Sequence, residues 1–290
     1  MFFQDSKSRA RQKELSDDIH LSSSSDVQRI GEQKMADKLQ FIDVSSENVD
    51  TCGCCGANPL GQQRKREWIR QCLSYGLRYR VVMERTTGQM VGMIEYIPGE
   101  YAWRAVHAPN YMVIHCLQVV KRHRGEGIGS QLIQDSIKDA KTKKMDGVVA
   151  LTTHRGWCAD NGIYLKNGFE VVDQAEPSFE LVVNQFRKIE PPSFGDWKER
   201  LRMLGAGIYM YCSKQCPFMR REVLLARREW LKTKYGLDAS MIEINDYKQA
   251  QANPCVWGTA GIICNGEIVN YVPGGRTPLL RKLGQMQITR

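Results

Sequence analysis

The segment Arg124-Gly-Glu-Gly-Ile-Gly-Ser130 sets three glycines at alternate positions behind an arginine. Glycine at a sharp bend removes side chains and lets main-chain N–H groups face a ligand. Met112 to Val120, an apolar and partly β-branched run, precedes it; Ile128, Leu132, Ile133, Ile137 and Ala140 follow at helical spacing. The pattern predicts a strand, a glycine-rich turn and a helix. N–H groups at a helix start, with the positive end of its dipole, favour a phosphate or diphosphate. The turn lacks the Lys-Ser/Thr of a P-loop, and its spacing is GxGxG rather than the GxGxxG of a dinucleotide fold.

Two further groups could do chemistry. Glu95 sits inside the apolar run GMIEYIP, where a carboxylate needs a partner or a task. Burial would raise its pKa towards that of a general base, and Glu100, His107 and His115 stand behind it as candidates. Thr51-Cys-Gly-Cys54-Cys55-Gly56 holds three thiols in four residues. Such a cluster could hold a soft metal or form a redox pair, but no second CxxC or His pair completes a zinc site. No resident metal is assigned.

The elements that must position these groups follow from pattern and turn signals. Leu39–Val44 reads as a strand, and Arg64–Leu77 as a helix with Trp68, Ile69, Cys72 and Leu73 on one face. Arg80–Met83 and Gln89–Ile97 read as a strand pair, Ser130–Lys144 as a helix and Gly147–Thr153 as a strand. Tyr164 lies on a helix, and Phe169–Val172 and Phe179–Phe186 close a first domain. Lys188–Gly195, with two adjacent prolines, is a linker. Beyond it come a strand at Gly207–Tyr211, then Cys216-Pro-Phe-Met219 opening a helix to about Tyr235, a strand at Ala239–Ile244, and a hairpin over Gly258–Asn270 turning on Asn265-Gly266. The organisation is α/β: a polar, disordered tail at 1–37, a first domain at 38–186, a linker at 187–198 and a second domain at 199–290. Met35 could be an alternative start.

Arg124-x-x-Gly127-x-Gly129 followed about thirty residues on by Tyr164-Leu-Lys-Asn-Gly-Phe169 resembles the GCN5-related N-acetyltransferases (GNAT). The resemblance implies a mixed sheet with flanking helices and acetyl-CoA as cofactor. Its diphosphate would rest on Arg124, Gly125, Glu126, Gly127, Ile128, Gly129 and Ser130. The pantetheine amides would bond backbone groups around Leu117, Gln118 and Val119, where the strand holding them splays from its parallel neighbour. Tyr164 would be the general acid for the departing thiolate, with Glu95 the first candidate base. Members often carry asparagine seven residues before that tyrosine; Trp157 stands there, and Asn161 is out of register.

The second domain resembles a YoaP-like, thioredoxin-related tail, and YCSKQCPFM looks like a glutaredoxin turn with Cys216 at the nucleophile position. A helix amino terminus would lower the pKa of that thiol. Met219 stands in place of a second motif cysteine, so a monothiol route or a pair with Cys212 is left, and a binding scaffold is the alternative. The expected function is acetyl-CoA-dependent N-acetylation of a small amine or amino-acid-like acceptor. The alternative is a thiol redox or metalloid-binding protein, with Cys54, Cys55, Cys212 and Cys216 as its candidates, whose first domain only binds CoA.

Composition bounds the rest. The chain has 290 residues, 42% of them hydrophobic, which suits two globular domains. No apolar run reaches the ~18–20 residues of a membrane span, and MFFQDSKSRARQKELS is not a secretory signal, so the cytoplasm is expected and the ten cysteines are expected as free thiols. The net charge of +9 sits mostly after residue 185, where 17 basic residues face nine acidic ones. Basic and aromatic residues do not interleave there as a nucleic-acid platform would, which favours a solvated basic surface.

Overall fold

A computed structural model describes residues 37–52, 54–56, 58–154, 159–218, 220–271 and 277–288. The expected tail, Met35, Trp157 and Met219 lie outside them, apart from Asp37 at the tail's end. A seven-stranded sheet runs in the order β1-β2-β3-β4-β5-β7-β6. Its strands are β1 Leu39–Asp43, β2 Arg78–Glu84, β3 Met90–Pro98, β4 Tyr111–Val119, β5 Gly147–Thr153, β6 Glu170–Ala175 and β7 Phe179–Gln185. All neighbours are antiparallel except β4 and β5. Helix α1, Pro59–Leu73, covers one face; α2, Ile128–Thr142, and the short α3, Asn161–Leu165, cover the other.

Helix α1 begins five residues before the predicted Arg64. Asn58 caps it by accepting from Gly61 N at 3.0 Å, and Pro59 fills the first turn. Both were visible signals, because proline suits a first turn whose N–H is unpaired anyway. In α2, Ile128, Leu132, Ile133, Ile137 and Ala140 are buried against the sheet, as their spacing requires.

The second unit holds α4 Trp197–Leu204, β8 Ile208–Ser213, α5 Arg221–Tyr235, β9 Ser240–Ile244, α6 Tyr247–Gln251, β10 Gly261–Cys264, β11 Glu267–Asn270 and α7 Thr277–Ile288. Its four strands run in the order β11-β10-β8-β9, with β8 and β9 parallel and the others antiparallel. Asn265 and Gly266 both have positive φ, the turn that Asn-Gly predicts.

The proline-marked stretch is docked. Ser193 exchanges backbone bonds with His107, Phe194 is buried, and Trp197 already belongs to α4 and to the core. One cluster runs through both units: Trp68, Trp103, Val113 and Phe179 from the first, with Tyr211, Ile244, Trp257 and Tyr271 from the second. The rings of Phe179 and Tyr271 meet at 4.4 Å between centres, tilted by 53°.

Candidate functional site

Strands β4 and β5 stay paired only from Tyr111–Gly147 to Ile114–Ala150, yet they run on to Val119 and Thr153. A parallel pair that parts leaves one edge of each strand without ladder bonds. A bulge helps to part them. Glu95 pairs with Cys116 and Tyr96 with Ile114, so His115 is an extra residue on β4, and such an insertion bends its strand.

The glycine turn closes the end of this cleft. Gly125 and Gly127 have φ of 88° and 85°, the left-handed region that favours glycine. Nothing lies within 4 Å of where a Cβ on Gly125 would stand. Gly127 caps α2, and no backbone oxygen takes the N–H groups of Gly125 to Ser130 among the described residues. Arg124 and Glu126 are exposed at this rim. An outward nest of amides beside a cleft fits a diphosphate followed by an extended amide chain.

Some predicted contacts take other roles. A Cβ on Gly129 would stand 2.6 Å from Ile163 Cδ1, so the missing side chain there lets α2 approach α3. Ile128 and Leu117 bury their side chains in the core under α2, while Gln118 is exposed. The Val119 carbonyl accepts from Arg124 Nε at 3.2 Å, so it is not the unpaired group that was expected.

Tyr164 lies on α3 and is buried, with its ring edge-on to Phe169 at 5.4 Å. Between them, Asn167 ties the two sequence signatures together. Its Nδ2 donates to Ser130 Oγ at 3.1 Å and to the Ile163 carbonyl at 2.8 Å, and its Oδ1 accepts from Gln134 Nε2 at 3.0 Å. An asparagine beside a positive-φ Gly168 was the available signal.

Glu95 does not fit the role of base. It is wholly buried and ion-paired with Lys65 of α1, itself 1% exposed. Lys65 Nζ also donates to the Gln215 carbonyl at 2.7 Å, and Gln215 Nε2 donates to Glu95 Oε1 at 2.5 Å. Burial pushes the Glu95 pKa up, but the Lys65 ammonium and His115 outweigh it and hold the value at about 2. The expectation of a raised pKa fails because Lys65 supplies a buried opposite charge. His115 lies with Nδ1 3.3 Å from Glu95 and accepts from Trp103 N at 2.9 Å through Nε2. Burial holds it neutral, with a pKa of about 4. Glu100 accepts from Asn110 N at 2.7 Å, and the backbone of His107 pairs with Ser193.

The thiols divide between two places. Cys54 and Cys55 are buried beside Lys65. The Cys54 thiol hydrogen bond lowers the Cys55 pKa, burial opposes this and Lys65 adds to the lowering, while Cys54 moves up. Cys116 lies close enough to feel the charges of Cys55 and Cys216. Cys216 itself precedes the first helical residue, Arg221, by five positions, so it is not at a helix start and the dipole argument does not apply. Cys212 packs on the opposite face of β8 from Cys216, and burial raises its pKa to about 11. The two do not form a pair. No group of three or more His, Cys, Asp or Glu among the described residues could hold a metal ion.

A cavity of about 520 Å³ lies past the end of β5, lined by His154, residues 174–180 of the β6–β7 hairpin, Trp197 and Lys198. There His154 Nε2 is 3.3 Å from Glu180 Oε1, and Glu180 Oε2 accepts from Asn161 Nδ2 at 2.7 Å. Sequence reading passed over both residues, since nothing local links positions 26 apart on neighbouring strands.

Residues 40–169 match the Acetyltransferase (GNAT) family. The chain is 27% identical over 239 residues to the uncharacterized N-acetyltransferase YoaP of Bacillus subtilis (strain 168), covering 80% of this chain and 93% of that protein. Among solved structures, a GNAT acetyltransferase from Staphylococcus aureus Mu50 covers 51% of this chain and 99% of its own, at 16% identity and a TM-score of 0.39. A GNAT acetyltransferase from Brucella melitensis in complex with acetyl-CoA covers 53% and 91%, at 18% identity and a TM-score of 0.35. The protein is an acyltransferase. Its acyl donor is acetyl-CoA.

Proposed function

We propose that this chain N-acetylates a small amine or amino-acid-like acceptor in the cytoplasm, with its second unit serving as an accessory thioredoxin-related domain. The observation that carries the reading is the cleft where β4 and β5 part beside the outward amides of Gly125 to Ser130. Residues 124–130 hold the diphosphate, and the free edge of β4 at Leu117, Gln118 and Val119 aligns the pantetheine arm. Arg124 swings from the Val119 carbonyl to the diphosphate, which returns that carbonyl to the arm. Acetyl-CoA supplies an acetyl thioester and leaves as the free thiol. Tyr164 gives its phenolic proton to the departing sulfur, and the last proton that the acceptor nitrogen sheds on forming the amide replaces it. Glu95 stays ionised and holds α1 and the second unit in register rather than taking a proton. The order β11-β10-β8-β9, with parallel β8 and β9 joined through α5, supports the thioredoxin-related reading.

Calorimetry tests the core of this. The folded chain should bind acetyl-CoA, and Gly127→Glu should abolish binding and transfer together, through side-chain bulk and charge where the diphosphate rests. A chain that ignores acetyl-CoA, or a Gly127→Glu variant that still binds it, sinks the reading.

A thiol-based activity is the second reading, and the gathering of Cys54, Cys55, Cys116 and Cys216 from both units around Lys65 favours it. It predicts that Cys216→Ser removes the activity. Acetyl transfer predicts that Cys216→Ser leaves turnover largely intact.

A further inference from the structure

Glu95 and His115 are locked by their buried partners, so neither serves the acyl transfer as base. Among the described residues, His154 and Glu180 combine access, a carboxylate partner and room for a small molecule. His154 follows the last residue of β5, at the end where β4 and β5 have parted. It lines a cavity of about 520 Å³, within the range of pockets that hold small ligands, roughly 300–1,000 Å³. The His154 side chain is 59% exposed and that of Glu180 14%, so the ring reaches the opening while the carboxylate stands behind it.

Glu180 holds more than the histidine. Its Oε1 faces His154 Nε2 at 3.3 Å and Gln174 Nε2 at 3.5 Å, and its Oε2 accepts from Asn161 Nδ2 at 2.7 Å. Asn161 is the first residue of α3, the helix that carries Tyr164. One carboxylate therefore ties the histidine to the element bearing the expected acid. A carboxylate at Nε2 fixes the proton there and leaves the Nδ1 lone pair free. Among the described residues, the charged groups that line the cavity with the ring are Glu180 on β7, Glu176 in the β6–β7 turn and Lys198 on α4.

We propose that this cavity is the acceptor site, that it takes a small primary amine, and that His154, oriented by Glu180, is the base that deprotonates it. The proposal rests on the acetyltransferase reading above. His154 Nδ1 accepts one proton from the acceptor ammonium, which frees the nitrogen lone pair for acyl transfer. The imidazolium so formed is balanced by Glu180 and gives the proton to water. Glu176 offers the incoming ammonium a carboxylate at the rim. Glu180 is a positioning residue; His154 touches the reacting nitrogen.

The test measures acetyl-CoA consumption by chromatography with glycine, ethanolamine, putrescine and tyramine as probe amines, beside calorimetry with acetyl-CoA. At least one amine should be acetylated. His154→Ala should lower kcat by about 100-fold or more while acetyl-CoA binds as in wild type, and added imidazole should restore part of that loss. Glu180→Gln should lower kcat in the wild-type chain and cost nothing further beside His154→Ala, since the two act as one unit. Independently of turnover, nitrogen-15 spectra of the wild-type chain should show His154 protonated at Nε2. A His154→Ala variant within about threefold of wild-type kcat, a His154 ring protonated at Nδ1, or a chain that binds acetyl-CoA yet acetylates no probe amine would each overturn the proposal. Failure to bind acetyl-CoA would instead bring down the acetyltransferase reading, and this proposal with it.

Discussion

Lys65 and Glu95, a charged pair with almost no exposure, decide how this protein responds to mutation and to acid. Removing one partner strands the other charge in the core, which costs about 3–5 kcal/mol. Glu95→Gln should therefore lower stability by that order in urea titrations. Pairing Lys65→Met with Glu95→Leu should recover part of the loss, because neither charge is left alone. Acid acts through the neighbours of this pair. His115 has its folded pKa near 4 against 6.5 when free, so the unfolded chain binds the extra proton between those values. Stability therefore falls as pH drops from about 6.5 to 4, by roughly 2–3 kcal/mol. Glu95, with a folded pKa near 2 against 4.5, continues the loss from about pH 4.5 down to 2. Denaturation midpoints across that range should show both limbs in the wild type, and His115→Asn should lack the first. Glu95 alone announced in sequence that a buried carboxylate needs a partner. Its partner stood thirty residues away on a helix whose start had been placed too late, and Gln215 stood 120 residues away. Local spacing carries no information about either.

At the scale of elements, the strand, glycine turn and helix were legible because each has a local cause: an apolar run, residues tolerant of positive φ, and a helical stripe. What those elements do to one another was less legible. Gly129 looked like a ligand contact because its spacing is shared with Gly125 and Gly127, yet its neighbour is Ile163. Cys216 looked like a helix start because proline often follows one, but Arg221 begins the helix. The parting of β4 and β5 depends on where a ladder stops, which no single strand encodes; here it came only through family resemblance. Asn167 couples the turn to α3 through Ser130. Its loss removes about 1 kcal/mol of hydrogen bonding. Asn167→Ala should therefore weaken acetyl-CoA binding by about fivefold in calorimetry while leaving the fold intact.

One core cluster runs through both units. Trp257, Tyr271 and Phe179 meet across the boundary, and Arg104 lies over Trp257 at 4.5 Å while bonding Thr259 at 3.4 Å. Each large side chain uncovered by a cut would forfeit about 1.5–3 kcal/mol, and several sit on this boundary. Heating should therefore give one calorimetric transition whose direct and van't Hoff enthalpies agree, and a chain ending at residue 186 should fail to fold. Sequence suggested a linker from its prolines, since turn chemistry is local and docking is not. Pro217 adds a constraint from outside the first unit: a Cβ on Gly61 would stand 2.4 Å from its carbonyl oxygen, so the start of α1 is shaped to the tail that covers it. Descent should carry that mark. A lineage that discarded the tail would leave Lys65 and Glu95 bare and Gly61 without its reason, so all three should drift away together, whereas lineages that keep the tail should inherit them as a set.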